Sequence, residues 1–576
     1  MKNGTIKSYS CRLTLLTLND VYEIEPDPRG VGGFAPLGTL LAKERARAKG
    51  WGSIPLSFIC GDFLSASRLG EAYKGAHMID FLNRLGFDYA VFGNHEFDFG
   101  NQVCRQRIKE SKFTWLGSNV LELDGSAFGG SKYIEVLEFG PSGNKTKEQR
   151  QHHSRENGDV QQENTEKAKE KQPEQPPVIF RVGLIGLCTL ATPSLSFPDE
   201  DVVFAPVLQS AERAIQMLRQ DPLKPVHLVI AVTHLSSAQD KELARKMPDI
   251  DIIIGGHDHS PMTFFEGKTL IHKCGQNAEY LGRIDVSLSI ELNESDDEGD
   301  TTERVSKYFN WKMMLNKDIQ PDNNMEQLIL SYTSKYDESM KEEIGIVGET
   351  GLDSTLTRVQ ENTMANFLVD ALYELYADQA EVAIINGGFI RGNRCYEPGY
   401  RLTIGDINRE FPFPKRCVLL ELKVKDFVEA LEQGLREAEN PSGFFPHLSK
   451  GWRYTFSTHV EAGRRLVSLS REVDGRQVLY YCRDPKPSVG GENGDGDQNV
   501  SSAWGEKDIK ILVTEYMRGG GDGYLAFKRG RHLVCPGRDS TIINQHVIDY
   551  LRKRKHVPVI AHLEGRSARV DEERLA

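Results

Sequence analysis

The chain has 576 residues, with 71 Lys+Arg against 83 Asp+Glu, 39% hydrophobic and 27% charged, the balance of a globular protein and not of a fibrous or disordered one. Chains beyond about 250–300 residues tend to divide into separate cores, so more than one domain is expected. A formal net charge of −12 argues against a nucleic-acid-binding surface, because such proteins generally carry a basic stripe.

The N-terminal stretch MKNGTIKSYSCRLTLLTLND has two early lysines but neither an uninterrupted apolar segment nor a small-residue cleavage site, so no secretory signal is expected. The longest apolar runs, such as 226–232 (VHLVIAV), fall far short of the ~20 residues that cross a bilayer, and no membrane association is expected. A strand-like run at 12–18 (RLTLLTL) stops at Asn19 and Asp20, and a second at 55–60 (PLSFIC) stops at Gly61 and Asp62. After a helical pattern over 75–85, the run 89–92 (YAVF) leads into Gly93, Asn94, His95 and Glu96. Residues 141–177 hold almost no apolar side chain and are expected to be a disordered insertion, since burial there would not offset the entropy of ordering. Beyond a second helical pattern at 211–218, the run 226–232 leads to Thr233 and His234. The run 249–254 (DIDIII) leads to Gly255, Gly256, His257, Asp258 and His259. NESDDEGD at 293–300 reads as an acidic surface turn.

Near-continuous apolar strands suit a sheet covered on both faces, and their alternation with helical patterns indicates an α/β fold. In such folds ligands gather at the carboxyl ends of strands. An aspartate after a strand is, taken singly, an ordinary cap or turn residue. GNHE and GGHDH are more specific, and five such groups in this order point to one site. Two aspartates, an asparagine carbonyl and three imidazoles make a mixed oxygen and nitrogen set that suits Zn, Mn, Co or Fe better than Ca. The set is too large for one ion. Two divalent ions about 3.5–4 Å apart, bridged by Asp62, would clamp a phosphoryl group and acidify a bound water. His95, followed by Glu96 and Asp98, has a carboxylate near enough to hold its ring and is assigned transition-state stabilisation.

Met325, Leu328, Ile329, Tyr332 and Tyr336 recur at helical spacing in 320–343, which predicts an amphipathic helix between two differently patterned halves. The expected domains are 1–312 (catalytic), 313–345 (linker helix) and 346–560 (substrate-binding), with a tail at 561–576. The second half carries Arg358 with Asn362 and Asn366 (RVQENTMAN), NGGFIR at 386–391, FPFP at 411–414 and EYMRGGGDGY at 515–524. Arginines neutralise phosphate or carboxylate, glycines admit close approach, and aromatic faces stack a planar base. The polar stretch 484–504 reads as a loop. Nine scattered cysteines, an odd number without a CxxC pair, read as free thiols of a reducing, cytoplasmic compartment.

The order Asp-x-Tyr, GD, GNHE, TH, GGHDH resembles the calcineurin-like metallophosphoesterases, and together with the second half it is similar to the 5′-nucleotidase family, including its bacterial UDP-sugar hydrolase members. That resemblance implies an N-terminal sandwich of two β-sheets flanked by helices, a linker helix and an α/β C-terminal substrate domain. It implies one metal on Asp20, Asp62 and His259, another on Asp62, Asn94, His234 and His257, and a catalytic dyad of His95 and Asp98. In the C-terminal half it implies that Phe413 and Tyr516 sandwich a base, Asp522 accepts from ribose hydroxyls, Arg358 and Arg391 hold the anionic end and Asn386 lies near the base. The activity implied is hydrolysis of a phosphomonoester, foremost a nucleoside 5′-monophosphate, by a metal-activated hydroxide. Alternatives are a sugar phosphate, glycosylated phosphoglycerate or UDP-sugar-type substrate, or a catalytically weakened nucleotide-binding protein.

Three positions depart from the family pattern. Tyr22 stands where a histidine is usual and is a possible ligand, Phe389 stands where a third glycine is common, and Tyr516 replaces a phenylalanine.

Overall fold

The computed structural model describes residues 5–141, 178–196, 198–221, 224–294, 301–412, 415–483, 505–535, 538 and 541–570. The expectations for 142–177, 295–300 and 484–504, and for Phe413, lie outside the described residues. Two compact units divide the chain, Met1–Lys335 and Tyr336–Ala576.

The strands of the first unit are β1 (Thr5–Leu18), β2 (Ile54–Ile59), β3 (Tyr89–Val91), β4 (Thr114–Leu116), β5 (Val120–Glu122), β6 (Ile134–Phe139) and β7 (Phe180–Cys188), followed by β8 (Val202–Phe204), β9 (Leu228–His234), β10 (Ile252–Gly255), β11 (Pro261–Glu266), β12 (Thr269–Cys274), β13 (Tyr280–Glu294) and β14 (Thr301–Leu315). They form two six-stranded sheets, ordered β14-β13-β1-β2-β3-β4 and β11-β12-β10-β9-β7-β6, while β5 and β8 pair separately. The middle of each sheet is parallel: β1 with β2, β2 with β3, and β9 with both β7 and β10. The sheets pack face to face through Leu13, Leu15, Phe58, Leu184, Ile230 and Ile252.

Each sheet's outer face is covered by helices. Leu16 and Ile59 meet Phe34, Leu37, Phe81 and Leu82 of helices Phe34–Gly50 and Ala76–Leu85. On the other side, Ile185, Ala231 and Ile253 meet Ala211, Leu218 and Leu243 of helices Val207–Leu218 and Ser237–Lys246. Adjacent residues of one strand thus enter different cores, which is why these strands are apolar at nearly every position. The expected two-sheet α/β sandwich is the observed fold.

In the second unit, Val382–Asn386 and Asp508–Thr514 lie at the middle of a five-stranded sheet with Pro446–Leu448, Cys417–Lys423 and Arg531–Leu533. Helix Thr363–Leu375 covers it, capped by the Asn362 side chain, which accepts from the N–H groups of Met364 and Ala365. A second, four-stranded sheet orders Arg476–Cys482, Leu466–Val473, Trp452–Phe456 and Ser567–Arg569.

Two expected boundaries need correction. Residues 313–315 complete β14, so the helix between the halves is shorter than 313–345 and spans Asn323–Met340. The segment expected as a tail from 561 contributes the strand Ser567–Arg569, parallel to Trp452–Phe456. It is anchored by the buried Arg566, whose guanidinium makes two 2.7 Å bonds to the Asp370 carboxylate.

Candidate active site

Five strands of the first unit stop beside one another because β1, β2 and β3 are parallel neighbours in one sheet and β9 and β10 in the other. The backbone then turns sharply. Asp20, Asp62 and His257 adopt φ of 52°, 56° and 75°, the left-handed region that costs a non-glycine residue about 1–2 kcal/mol. Surrounding bonds hold them there: Asp20 N–H donates to Gly61 O at 3.1 Å, Asp62 N–H to Glu96 Oε2 at 2.8 Å, and His257 N–H to Asp20 Oδ2 at 2.8 Å. Glycine is required at two contacts. A Cβ at Gly93 would collide with Asp62 Oδ1, and one at Gly256 with Cys60 O and His234 Nδ1.

One ligand atom each from Asp62, His234 and His257 lies within 4.8 Å of the other two. His234 Nδ1 donates to Cys60 O at 2.8 Å, which fixes the tautomer and leaves the Nε2 lone pair for the site. Nε2 is 3.1 Å from Asp62 Oδ2, and the buried Asn94 Oδ1 has no hydrogen-bond partner. A buried acceptor left unpaired, as Asn94 Oδ1 is, is costly unless a cation answers it. Burial opposes charge on the His234 ring, yet Asp62 and Asp20 outweigh it and raise its pKa, while Asp62 is lowered against the pull of its own burial by His234 and His95. Asp62, Asn94, His234 and His257 therefore fit a divalent metal of the Zn, Mn, Fe or Co type.

The other predicted group is also assembled. Asp20 Oδ1 is 3.3 Å from His259 Nε2, and the Tyr22 hydroxyl is 3.2 Å from Asp20 Oδ1, 3.3 Å from Asp62 Oδ2 and 3.1 Å from His259 Nε2. Burial first, then the charges of Asp62 and Asp20, push the phenol pKa upward. Tyr22 thus stands among all three predicted ligands of that metal.

His95 Nδ1 is 2.7 Å from Asp98 Oδ2, and its backbone N–H donates to Asp62 Oδ1 at 2.8 Å. Ser65 and Ser196 donate to the two Asp98 oxygens at 2.7 and 2.5 Å. Burial opposes charge on the His95 ring, but the bond to Asp98 and the charges of Asp62, Asp98 and Glu96 prevail and raise its pKa to about 9. Glu96 is a positioning residue that sequence reasoning passed over. Its buried carboxylate accepts from the N–H groups of Asp62 and Gly93 on one oxygen and of Phe63 and Leu64 on the other, locking the turn after β2 to the turn after β3. An acid next to the apolar Phe97 and close behind a turn glycine was the available signal.

In the second unit, Asn386, Asp522 and Tyr516 form one chain of bonds. Asn386 Nδ2 donates to Asp522 Oδ2 at 2.8 Å and the Tyr516 hydroxyl to Asp522 Oδ1 at 2.7 Å, while Asn386 Oδ1 is buried without a partner. Tyr516 remains 43% exposed. Its pKa is raised chiefly by the bond to Asp522, with the Arg391 charge opposing, which places Arg391 in the same neighbourhood. The Arg358 carbonyl accepts from Ser442 N–H at 3.1 Å, beside Gly387. Phe389 does not face this group. It is buried against Phe411 at 5.0 Å between ring centroids. Glu410, also missed, accepts from Ser354 and Tyr396 hydroxyls and from the N–H of Gly392 and, through its carbonyl, of Arg391, bracing the NGGFIR loop.

Residues 340–480 match the family model described as the 5′-nucleotidase C-terminal domain. The chain is 24% identical over 524 residues to the trifunctional nucleotide phosphoesterase protein YfkN of Bacillus subtilis, with 88% of this chain covered but only 32% of that protein's length. It is 23% identical over 558 residues to the human 5′-nucleotidase, covering 90% of this chain and 84% of that one. Among solved structures, the 5′-nucleotidase precursor of Thermus thermophilus shares the fold, with a TM-score of 0.51 at 23% identity over 97% of this chain and 100% of that chain. The resemblance read from the strand-end groups therefore holds.

Proposed function

We propose that this chain, similar to the 5′-nucleotidases along most of its length, is a metal-dependent phosphohydrolase of phosphomonoesters, nucleoside 5′-monophosphates foremost. The observation that carries the reading is the cluster of Asp62, His234 and His257, whose ligand atoms lie within 4.8 Å of one another, next to the braced His95–Asp98 pair. Divalent ions held by Asp62, Asn94, His234 and His257, and by Asp20, Asp62, His259 and Tyr22, would supply water activation and charge neutralisation at the phosphoryl group.

The chain's own residues do the rest. Asp98 holds Nδ1 of His95, which leaves Nε2–H for the substrate. The bond to Asp98 raises its pKa, which favours the protonated ring. As the P–O ester bond breaks, Nε2–H stabilises the negative charge on the leaving oxygen and can pass its proton to it. In the second unit the exposed Tyr516 ring offers a stacking face, and Asn386 Oδ1 is a ready acceptor for an exocyclic amine. Each Asp522 oxygen keeps lone pairs for sugar hydroxyls. Phe389 packs into the core against Phe411, away from this group. A reducing, cytoplasmic location belongs to the same proposal, supported by nine cysteines of which none forms a disulfide.

Purified protein reconstituted with Mn, Zn, Co or Mg and offered nucleoside monophosphates beside sugar phosphates is the test. Release of phosphate should require metal, favour nucleotides and vanish in Asp62→Asn and His234→Ala. Unchanged turnover in those variants overturns the assignment.

A further inference from the structure

Lys273 lies on β12 with its side chain wholly buried. Its ammonium is 2.6 Å from Leu235 O, 2.8 Å from Gly256 O, 2.7 Å from Asp258 Oδ2 and 2.7 Å from Asp240 Oδ2. Asp240 in turn accepts from the Thr233 hydroxyl at 2.8 Å. Thr233 and Leu235 flank His234, Gly256 precedes His257, and Asp258 separates His257 from His259. The backbone makes room for this cation, because a Cβ at Gly255 would stand 2.9 Å from Lys273 Cε and 3.1 Å from Asp240 Oδ2. Taking an ammonium and a carboxylate out of water costs several kcal/mol per ion before pairing, and well-packed apolar residues would often serve stability as well. Stability alone therefore explains this lysine poorly, whereas its placement between the two histidine segments explains it directly.

We propose that Lys273 is a positioning residue of the metal centre, tying the His234 segment to the turn that carries His257 and His259 so that the three imidazoles hold one spacing before a metal arrives. The inference rests on the metallophosphatase reading. The two are separable, because wild-type protein that binds no metal overturns that reading, whereas equal binding by wild type and variant overturns only the role of Lys273.

The experiment measures Zn(II) and Co(II) dissociation constants of the full chain by chelator competition, the Co(II) absorption spectrum and the thermal midpoint of chelator-treated protein, for wild type, K273M and the double variant K273M/D240N. The double variant removes a carboxylate that K273M would leave buried and unpaired. Loss of a residue that orients metal ligands typically weakens binding about 10–100-fold, and both variants are expected to show that loss with an altered Co(II) spectrum. Should K273M fail to fold, the same comparison on the double variant decides. Wild-type affinity and spectrum in a folded variant, whatever the thermal midpoint, would overturn the proposal.

Discussion

The Tyr22 hydroxyl stands 3.1 Å from His259 Nε2, on the side of the site where Asp20 and Asp62 also reach it. A single phenol is therefore the hub of the three side chains predicted to hold one metal, in the place where the family pattern has an imidazole. A phenol must lose its proton to become a strong ligand, and burial among carboxylates opposes that loss; an imidazole has no such demand. Tyr22→His is accordingly expected to tighten binding of the second metal equivalent about tenfold, or ~1.4 kcal/mol. Tyr22→Phe should weaken it by at least as much. Titration of metal-free protein, read by elemental analysis after desalting, checks both. Equal occupancy in all three proteins would show that Tyr22 is no ligand.

His95→Ala removes the group proposed to meet the leaving oxygen, and a positioned acid or base typically contributes about 10²–10⁴ in rate. The kcat of this variant should fall in that range with metal content unchanged. Asp98→Asn leaves the ring in place but deprives it of the charge that helps raise its pKa. Its loss in kcat should be smaller, and the alkaline limb of its pH–rate profile should move to lower pH. An unshifted limb would detach Asp98 from this role.

Tyr516 and Asp522 are joined by a 2.7 Å bond, so truncating either disturbs the other. Tyr516→Ala is expected to raise KM for a nucleoside monophosphate by about 1–3 kcal/mol of lost stacking and to leave a base-free phosphate ester unaffected. Tyr516→Phe keeps the stacking face and should lie near wild type. If the base-free ester loses as much as the nucleotide, the ring is not a base platform.

The strand ends of the first unit were legible because each central strand is buried on both faces, which writes unbroken apolar runs that stop where the predicted ligands begin. Turn glycines such as Gly93 and Gly256 marked close approach for the same reason. What sequence does not display is partnership. Glu96 reads as one more acid until its carboxylate is seen taking four backbone N–H groups. Phe389 stands where the family pattern commonly has a glycine, and the tight turn Gly387–Phe389 carries its ring inward onto Phe411. The strand Ser567–Arg569 escaped notice because it is three residues long and none of them is fully buried. Its one strong signal, Arg566, looks like any surface cation until Asp370 is placed beside it.

That ion pair makes the C-terminal strand a structural part of the second unit. Breaking a buried pair by removing one partner typically costs about 3–5 kcal/mol, and the 26% exposure of the Asp370 side chain favours the lower end. Arg566→Ala should shift the urea unfolding midpoint of the second unit accordingly, with a smaller shift for Arg566→Lys. A midpoint within error of wild type would mean that the strand is held by its ladder alone.

His447 offers a pH test in the second unit, whereas the predicted metal ligands belong to the first. Its ring is buried, and Nε2–H donates to Thr357 O at 2.6 Å. Burial lowers its pKa from the ordinary 6.5 to about 4, against the opposing bond to Thr357. Between those values the unfolded chain takes up a proton that the folded chain refuses, so stability contributed by this residue falls as pH drops from about 6.5 to about 4, by about 1.4 kcal/mol per pH unit. Above 6.5 both states are neutral and below 4 both are charged, so the contribution is flat outside that window. Other groups titrate there too, and Glu96, raised to about 7 by burial and by Asp62, works in the opposite direction. The difference between wild type and His447→Gln cancels them. Glutamine keeps a donor for Thr357 but does not titrate, so the variant is expected to lose less stability on acidification from pH 6.5 to 4, with the two curves parallel above 7. Parallel curves throughout would mean that His447 gains its proton in the folded state as easily as in the unfolded one.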